Sequence, residues 1–240
     1  MDNVKRGYMP KDSIEFGNSW SDRMTASGQE ILYLLNRNYD IKMAATFVGN
    51  HYLLSERQRM ALARVLCSEE KLRSRKAKEV NQSTFQERVY VDGFNTIITL
   101  EVALSGSLLL EGMDGTIRDL AGLHGTYRIV DKTKSAVELL LKSMKLSMIK
   151  EAVIYLDEPV SNSGRLKTLF YMLAESYKMK IYVEVLPDVD RKLYNLENVI
   201  TSDAIILDNC KSWYNLNRYI IDRYIPKAWI YRLDLKKDCI

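Results

Sequence analysis

The heptapeptide VYVDGFN, Val89–Asn95, decides the fold. Three β-formers run into an aspartate, a glycine, an aromatic residue and an asparagine, and a helical pattern begins at once. A buried strand handing straight over to a helix is the opening unit of a parallel βαβ crossover. Further strands are predicted at 151–157 (EAVIYLD), 180–186 (KIYVEVL), 198–207 (NVITSDAIIL) and 228–234 (AWIYRLD), with the first spanning 88–92. Helical segments fall between them at 96–106, 132–147, 162–178 and 212–224. This alternation predicts an α/β fold: a Rossmann-like, mostly parallel sheet with helices on both faces. One excursion interrupts it, a hairpin over 107–120 with apolar flanks around Asp114-Gly115.

Upstream of the heptapeptide the pattern is helical throughout. Met24, Ile31, Leu32, Leu34 and Leu35 share one face of a helix over 21–36. A second helix is expected from Asp40, ending at Gly49-Asn50, and Ser55 with Gln58 forms a capping-box pattern for a third. The GNHYLLS turn gives this region a possible helix-turn-helix spacing, although a plain helical bundle accounts for it better. The polar stretch NQSTFQE at 81–87 marks a boundary, so the chain divides into a helical domain, 1–85, and an α/β domain, 86–240.

The net charge of +4 is unevenly placed. Residues 86–240 hold equal numbers of acids and bases, and the excess of bases gathers between Arg57 and Lys78. A basic block beside a neutral domain suggests a polyanionic partner; a solvated helix face is the plain alternative. No membrane association is expected. No apolar run has the length of a membrane span, and the first residues lack an apolar signal core, so a cytoplasmic location is expected. Cys67, Cys210 and Cys239 are scattered and read as reduced thiols.

In an open parallel sheet, ligands gather outside the carboxyl ends of the strands. Asp92 and Asp157 end two predicted strands, Asp203 lies where a third breaks, and Asp208 follows five residues later. Clustered carboxylates repel one another unless a divalent cation sits among them, and magnesium and manganese favour such oxygen ligands. Neutral Asn95 would orient a water or ligand. Each acid taken singly has a simpler reading as a helix cap. In DEPVSNSGRLK, 157–167, Ser161 and Ser163 are natural caps, Gly164 permits close approach and Arg165 sits in the first helical turn, together an anion-binding pattern. RDLAGLHGTYR, 118–128, adds His124 and Arg128 as candidates for gripping phosphate. Trp213 and Tyr214 are candidates for base stacking, with core packing as the alternative.

Three of these segments carry a family resemblance. VYVDGFN, VIYLDEP and VITSDAII resemble, in order and spacing, the strand ends of the PIN/NYN superfamily of Rossmann-like nucleases, over roughly residues 88–210. The whole chain is also similar to a family of uncharacterised prokaryotic proteins that join a small helical domain to such an α/β domain. The resemblance implies a Mg²⁺- or Mn²⁺-dependent endoribonuclease, with Asp92, Asp157 and Asp203 as metal ligands. Glu101 is a loose candidate for that superfamily's helix-borne acid. On this reading Asp208 is an additional or outer ligand, Asn95 positions a water, and Arg165 and Arg128 steady the phosphate. The residues Arg57 to Lys78 would grip RNA or bind a ribosome-like partner; RNA is the expected partner, with DNA second. The rival expectation is a non-catalytic nucleic-acid-binding or adaptor protein on a degenerate nuclease fold.

Overall fold

A computed structural model describes residues 5–81, 88–122 and 125–235. Helices come first: α1 (Asp12–Glu15), α2 (Asn18–Leu35), α3 (Ile41–His51), α4 (Glu56–Val65) and α5 (Glu69–Lys78). The expected caps are present. Asp40 accepts the amides of Lys42 and Met43, and Ser55 with Gln58 forms the reciprocal capping box. After them come β1 (Glu79–Val80), β2 (Arg88–Asp92), α6 (Gly93–Leu104), β3 (Leu109–Glu111), β4 (Ile117–Asp119), α7 (Asp131–Leu146), β5 (Glu151–Asp157) and α8 (Ser163–Ala174). The chain continues through β6 (Lys180–Leu186), α9 (Val189–Leu193), β7 (Val199–Ile200), α10 (Ala204–Asn209), β8 (Trp213–Tyr214), α11 (Leu216–Tyr224) and β9 (Ile230–Tyr231).

Six strands form one sheet in the order β1-β8-β7-β2-β5-β6, and every pairing in it is parallel. From β2 the chain moves outward through β5 to β6, then returns to the other side of β2 for β7 and β8. The order therefore reverses between β2 and β7, which opens a crevice at their carboxyl ends. Along β2, Val89 and Val91 join the core under α6, α7 and α8, while Tyr90 and Asp92 face the side covered by α9 and α10. The register sets Asp92 opposite Tyr155, so Asp157 lies on the same face two residues further along β5.

Several expected elements change shape. The strand expected over 198–207 is only Val199–Ile200, because Asp203 caps a helix through the amides of Ile205 and Ile206. Trp213 and Tyr214 do not open a helix: they form β8, both are buried, and the Trp213 indole donates to the Arg75 carbonyl, which rules out base stacking there. The strand expected over 228–234 narrows to β9 and leaves the main sheet. It pairs with β3, giving a second sheet in the order β4-β3-β9.

This small sheet separates two cores. Leu109 and Ile117 point into the α/β core, while Leu108, Leu110 and Leu120 join Met24, Ile31, Val48 and Leu62 of the helical bundle. Several cations of the basic block Arg57–Lys78 are paired within the chain, while Arg73 and Lys76 stay largely exposed. Arg57 binds Asp12, Arg75 binds Asp114 and Asp208, Lys71 binds Asp208, and Lys78 donates to the carbonyls of Leu207 and Asp208. The contacts of Arg75, Lys71 and Lys78 fasten the bundle to the hairpin and α10. Cys67 and Cys210 are free and buried, and no helix among the described residues is long and apolar enough to cross a membrane.

Candidate functional site

The site grows from the end of β2. Gly93 begins α6 hard against β5: a Cβ there would come within 2.6 Å of Leu156 Cδ2 and 2.7 Å of the Tyr155 carbonyl. Only glycine permits that approach, which explains the Asp-Gly pair as a packing device. Asp92, 5% exposed, occupies the N-cap position of α6 but makes no side-chain capping bond. Its Oδ2 instead accepts the Thr201 hydroxyl at 2.8 Å, across from β2 to the end of β7. Thr201 Oγ1 in turn accepts the Asp203 amide at 3.0 Å. Asn95 is tied to the same loop, its Oδ1 accepting the Ser202 amide (2.9 Å) and hydroxyl (2.8 Å).

The electrostatics bring four acids together. Burial, followed by the nearby charges of Asp203, Asp157 and Asp190, pushes Asp92 up to about 8 despite the opposing Thr201 hydrogen bond. Partial desolvation, with Asp203, Asp157 and Asp188 close by, pushes Asp190 up to about 6 although its side chain is open to solvent. Asp157 is raised by desolvation, against a hydrogen bond from the Val189 amide at the start of α9. Among the described residues no lysine or arginine pairs with Asp92, Asp157, Asp190 or Asp203. Nor do any three His, Cys, Asp or Glu side chains stand close enough to form a ready-made metal cage.

Asp190, in the PDVDRK segment, was not anticipated. Its signal in the sequence was present: a second acid two residues past Asp188, directly after a predicted strand. Other expected residues lie apart. Asp208 is not a ligand candidate, because Arg75 and Lys71 occupy its two oxygens and hold it below the usual carboxylate range against burial. Glu101 is buried and committed to Arg6, Tyr127 and Thr133. Ser161 does not cap α8; its hydroxyl accepts the Tyr127 amide and donates to the Tyr127 carbonyl, latching the two loops together. Ser163 is the first residue of α8, preceded by Asn162 in the left-handed region. Arg165 and Arg128 are exposed, and neither lines the cleft beside Asp203. His124 lies outside the described residues.

That cleft, of about 290 Å³, is bounded by Ala63 and Arg64 of α4, Asn95 and Ile98 of α6, and Asp203 and Ala204 at the start of α10. A larger cavity of about 610 Å³ opens between the end of α2 and the start of α5, and it contains none of the expected site residues.

These features define the class: an open parallel α/β protein with an acidic site at the point where strand order reverses, backed by an N-terminal helical bundle. Residues 81–219 match the family described as "Domain of unknown function (DUF5616)", and the chain belongs to that family. Residues 23–78 match a second description, "Protein of unknown function (DUF434)". The chain is 34% identical over 180 residues to the "Uncharacterized protein MJ0935" of Methanocaldococcus jannaschii, which covers 75% of this chain and 86% of the relative. No solved structure matches the chain.

Proposed function

We propose that the protein is a divalent-metal-dependent ribonuclease of PIN/NYN-like type, acting at the carboxyl ends of β2, β5 and β7. The observation that carries this reading is Asp92: a buried carboxylate, not a cap, surrounded by other acids and without a protein cation. The oxygen donor set fits a hard cation. Magnesium is commonly held by one or two carboxylates, with waters and substrate phosphates completing its shell, so a closed three-residue cage is not required. Asp92, Asp157 and Asp190 would hold the ion, with Asp203 adjoining them. When bound, the ion supplies Lewis acidity toward a phosphoryl oxygen and lowers the pKa of water. The ion would offset the mutual repulsion that contributes to raising Asp92 and Asp190. Asn95, with its oxygen fixed by Ser202, offers its amide N–H groups to a phosphate oxygen.

The test is cleavage of a labelled single-stranded RNA in Mn²⁺ or Mg²⁺ by wild type and Asp92→Asn. Wild type should cleave and the variant should lose at least a hundredfold in rate while remaining folded. A wild-type protein that cleaves nothing, and whose Tm is indifferent to either ion, would sink the proposal. The rival, a nucleic-acid-binding or adaptor protein without turnover, draws on Asp203 and Asp157, each of which already accepts backbone amides at helix starts. It predicts RNA binding that ignores Asp92→Asn.

A further inference from the structure

We infer that the cleft beside Asp203 is a ribonucleotide subsite whose phosphate is gripped by Arg64, a residue of the helical bundle; this rests on the ribonuclease reading and deepens it. The cleft lies on the seam between the two parts of the chain, and its walls come from α4, α6, the segment after β4, and the start of α10.

Two hydrogen-bond donors in it have N–H groups without a protein acceptor among the described residues. Asn95 has its oxygen occupied by the Ser202 amide and hydroxyl, which turns its NH₂ away from that loop. Among the described residues nothing accepts from that NH₂. Arg64 binds the Asp119 carbonyl through Nη1 alone. The Asp119 carboxylate is 3.9 Å away and already accepts from Thr99 and the Ala121 amide. The rest of the guanidinium, 36% exposed, is free for an acceptor. Arg118 also borders the cleft, but Ser202, Arg64 and Asp114 occupy it.

A planar guanidinium with free N–H groups beside an amide matches phosphate oxygens. Ala63, Ile98 and Ala204 add apolar wall suited to a sugar or base. Asp203 uses Oδ1 to cap α10, and among the described residues nothing donates to its Oδ2, so that oxygen can accept a hydroxyl of the ligand. A ribonucleotide offers both: acceptor oxygens for Arg64 and Asn95, and a hydroxyl for Asp203. DNA, which has no 2′-hydroxyl, satisfies only the first half.

The test is equilibrium binding of a fluorescein-labelled single-stranded RNA octamer to the full-length protein in EDTA, where hydrolysis is silent. Arg64→Ala should weaken binding at least tenfold. Ala204→Phe, which fills the cleft and leaves the Arg64–Asp119 tie intact, should do the same. DNA of the same sequence should bind at least fivefold more weakly than RNA. Binding of AMP at micromolar concentration, read by titration calorimetry, without octamer binding would keep the subsite and assign it to a free nucleotide. Affinity unchanged within twofold in both variants, or no binding of RNA or AMP up to millimolar concentration, would overturn the inference. Binding that depends on Arg64 in a protein that never cleaves would remove the nuclease reading alone.

Discussion

At the residue scale, Asp92 carries the most information, and its energetics follow from its surroundings. Folding raises its pKa from an ordinary 3.8 to about 8, chiefly by desolvation. Such a group favours the folded state while protonated. Its contribution is complete below about pH 4 and is lost as pH climbs toward 8. Asp92→Asn, permanently neutral and still able to accept from Thr201, should therefore be the more stable protein in metal-free buffer at high pH. The gap in Tm over wild type should widen between pH 5 and pH 8.5, reaching ~4 °C or more for a relief of about 2 kcal/mol in a chain of this size. Parallel Tm–pH curves for the two proteins would show that Asp92 is ionised at no cost. The sequence showed that this acid ends a strand, because β-formers and glycine flank it. It could not show the Thr201 contact, which joins residues 109 positions apart.

At the element scale, the hairpin between α6 and α7 was legible in outline and opaque in purpose. Its apolar flanks and Asp-Gly pair predicted two strands and a turn, and both strands are present. The role of Asp114 was not readable, since its partners are distant in sequence or buried by the fold. Asp114 is fully buried between Arg75 of α5 and Arg118 of β4, with Thr116 closing the ring. Burial works against its charge, but Arg118, Thr116 and Arg75 outweigh it and hold the carboxyl below the ordinary range. Removing one member of such a set strands the others. Asp114→Ala leaves two guanidinium groups without their shared carboxylate and should cost ~3–5 kcal/mol in urea unfolding. A loss under 1 kcal/mol would mean that water replaces the carboxylate readily. The internal pairing of part of the basic block was hidden in the same way. A run of arginines and lysines looks alike whether its counter-charges are phosphates or side chains more than a hundred residues away.

At the scale of the whole molecule, the composition break near residue 85 and the two family matches, 23–78 and 81–219, both suggest separable parts. The packing ties those parts together. Leu108, Leu110 and Leu120 of the hairpin region lie in the core of the helical bundle, and Trp229, Tyr231 and Leu233 pack against it from the far end of the chain. β1, which follows α5 directly, forms the edge of the large sheet beside β8. Trp213 donates to Arg75, and Lys78 reaches α10. Separating the chain at residue 85 would expose the apolar side of the small sheet and leave Asp114 and Asp208 without Arg75. We therefore expect the full-length protein to unfold in one calorimetric transition, with calorimetric and van't Hoff enthalpies in agreement. A fragment of residues 86–240 should aggregate or bind hydrophobic dye rather than give a cooperative transition of its own. Two resolved transitions in the intact chain, or a soluble fragment with a sharp melt, would show two independent domains. In that case the Arg64 wall of the cleft would not be held rigidly against the acids, and any nuclease activity would survive removal of the bundle.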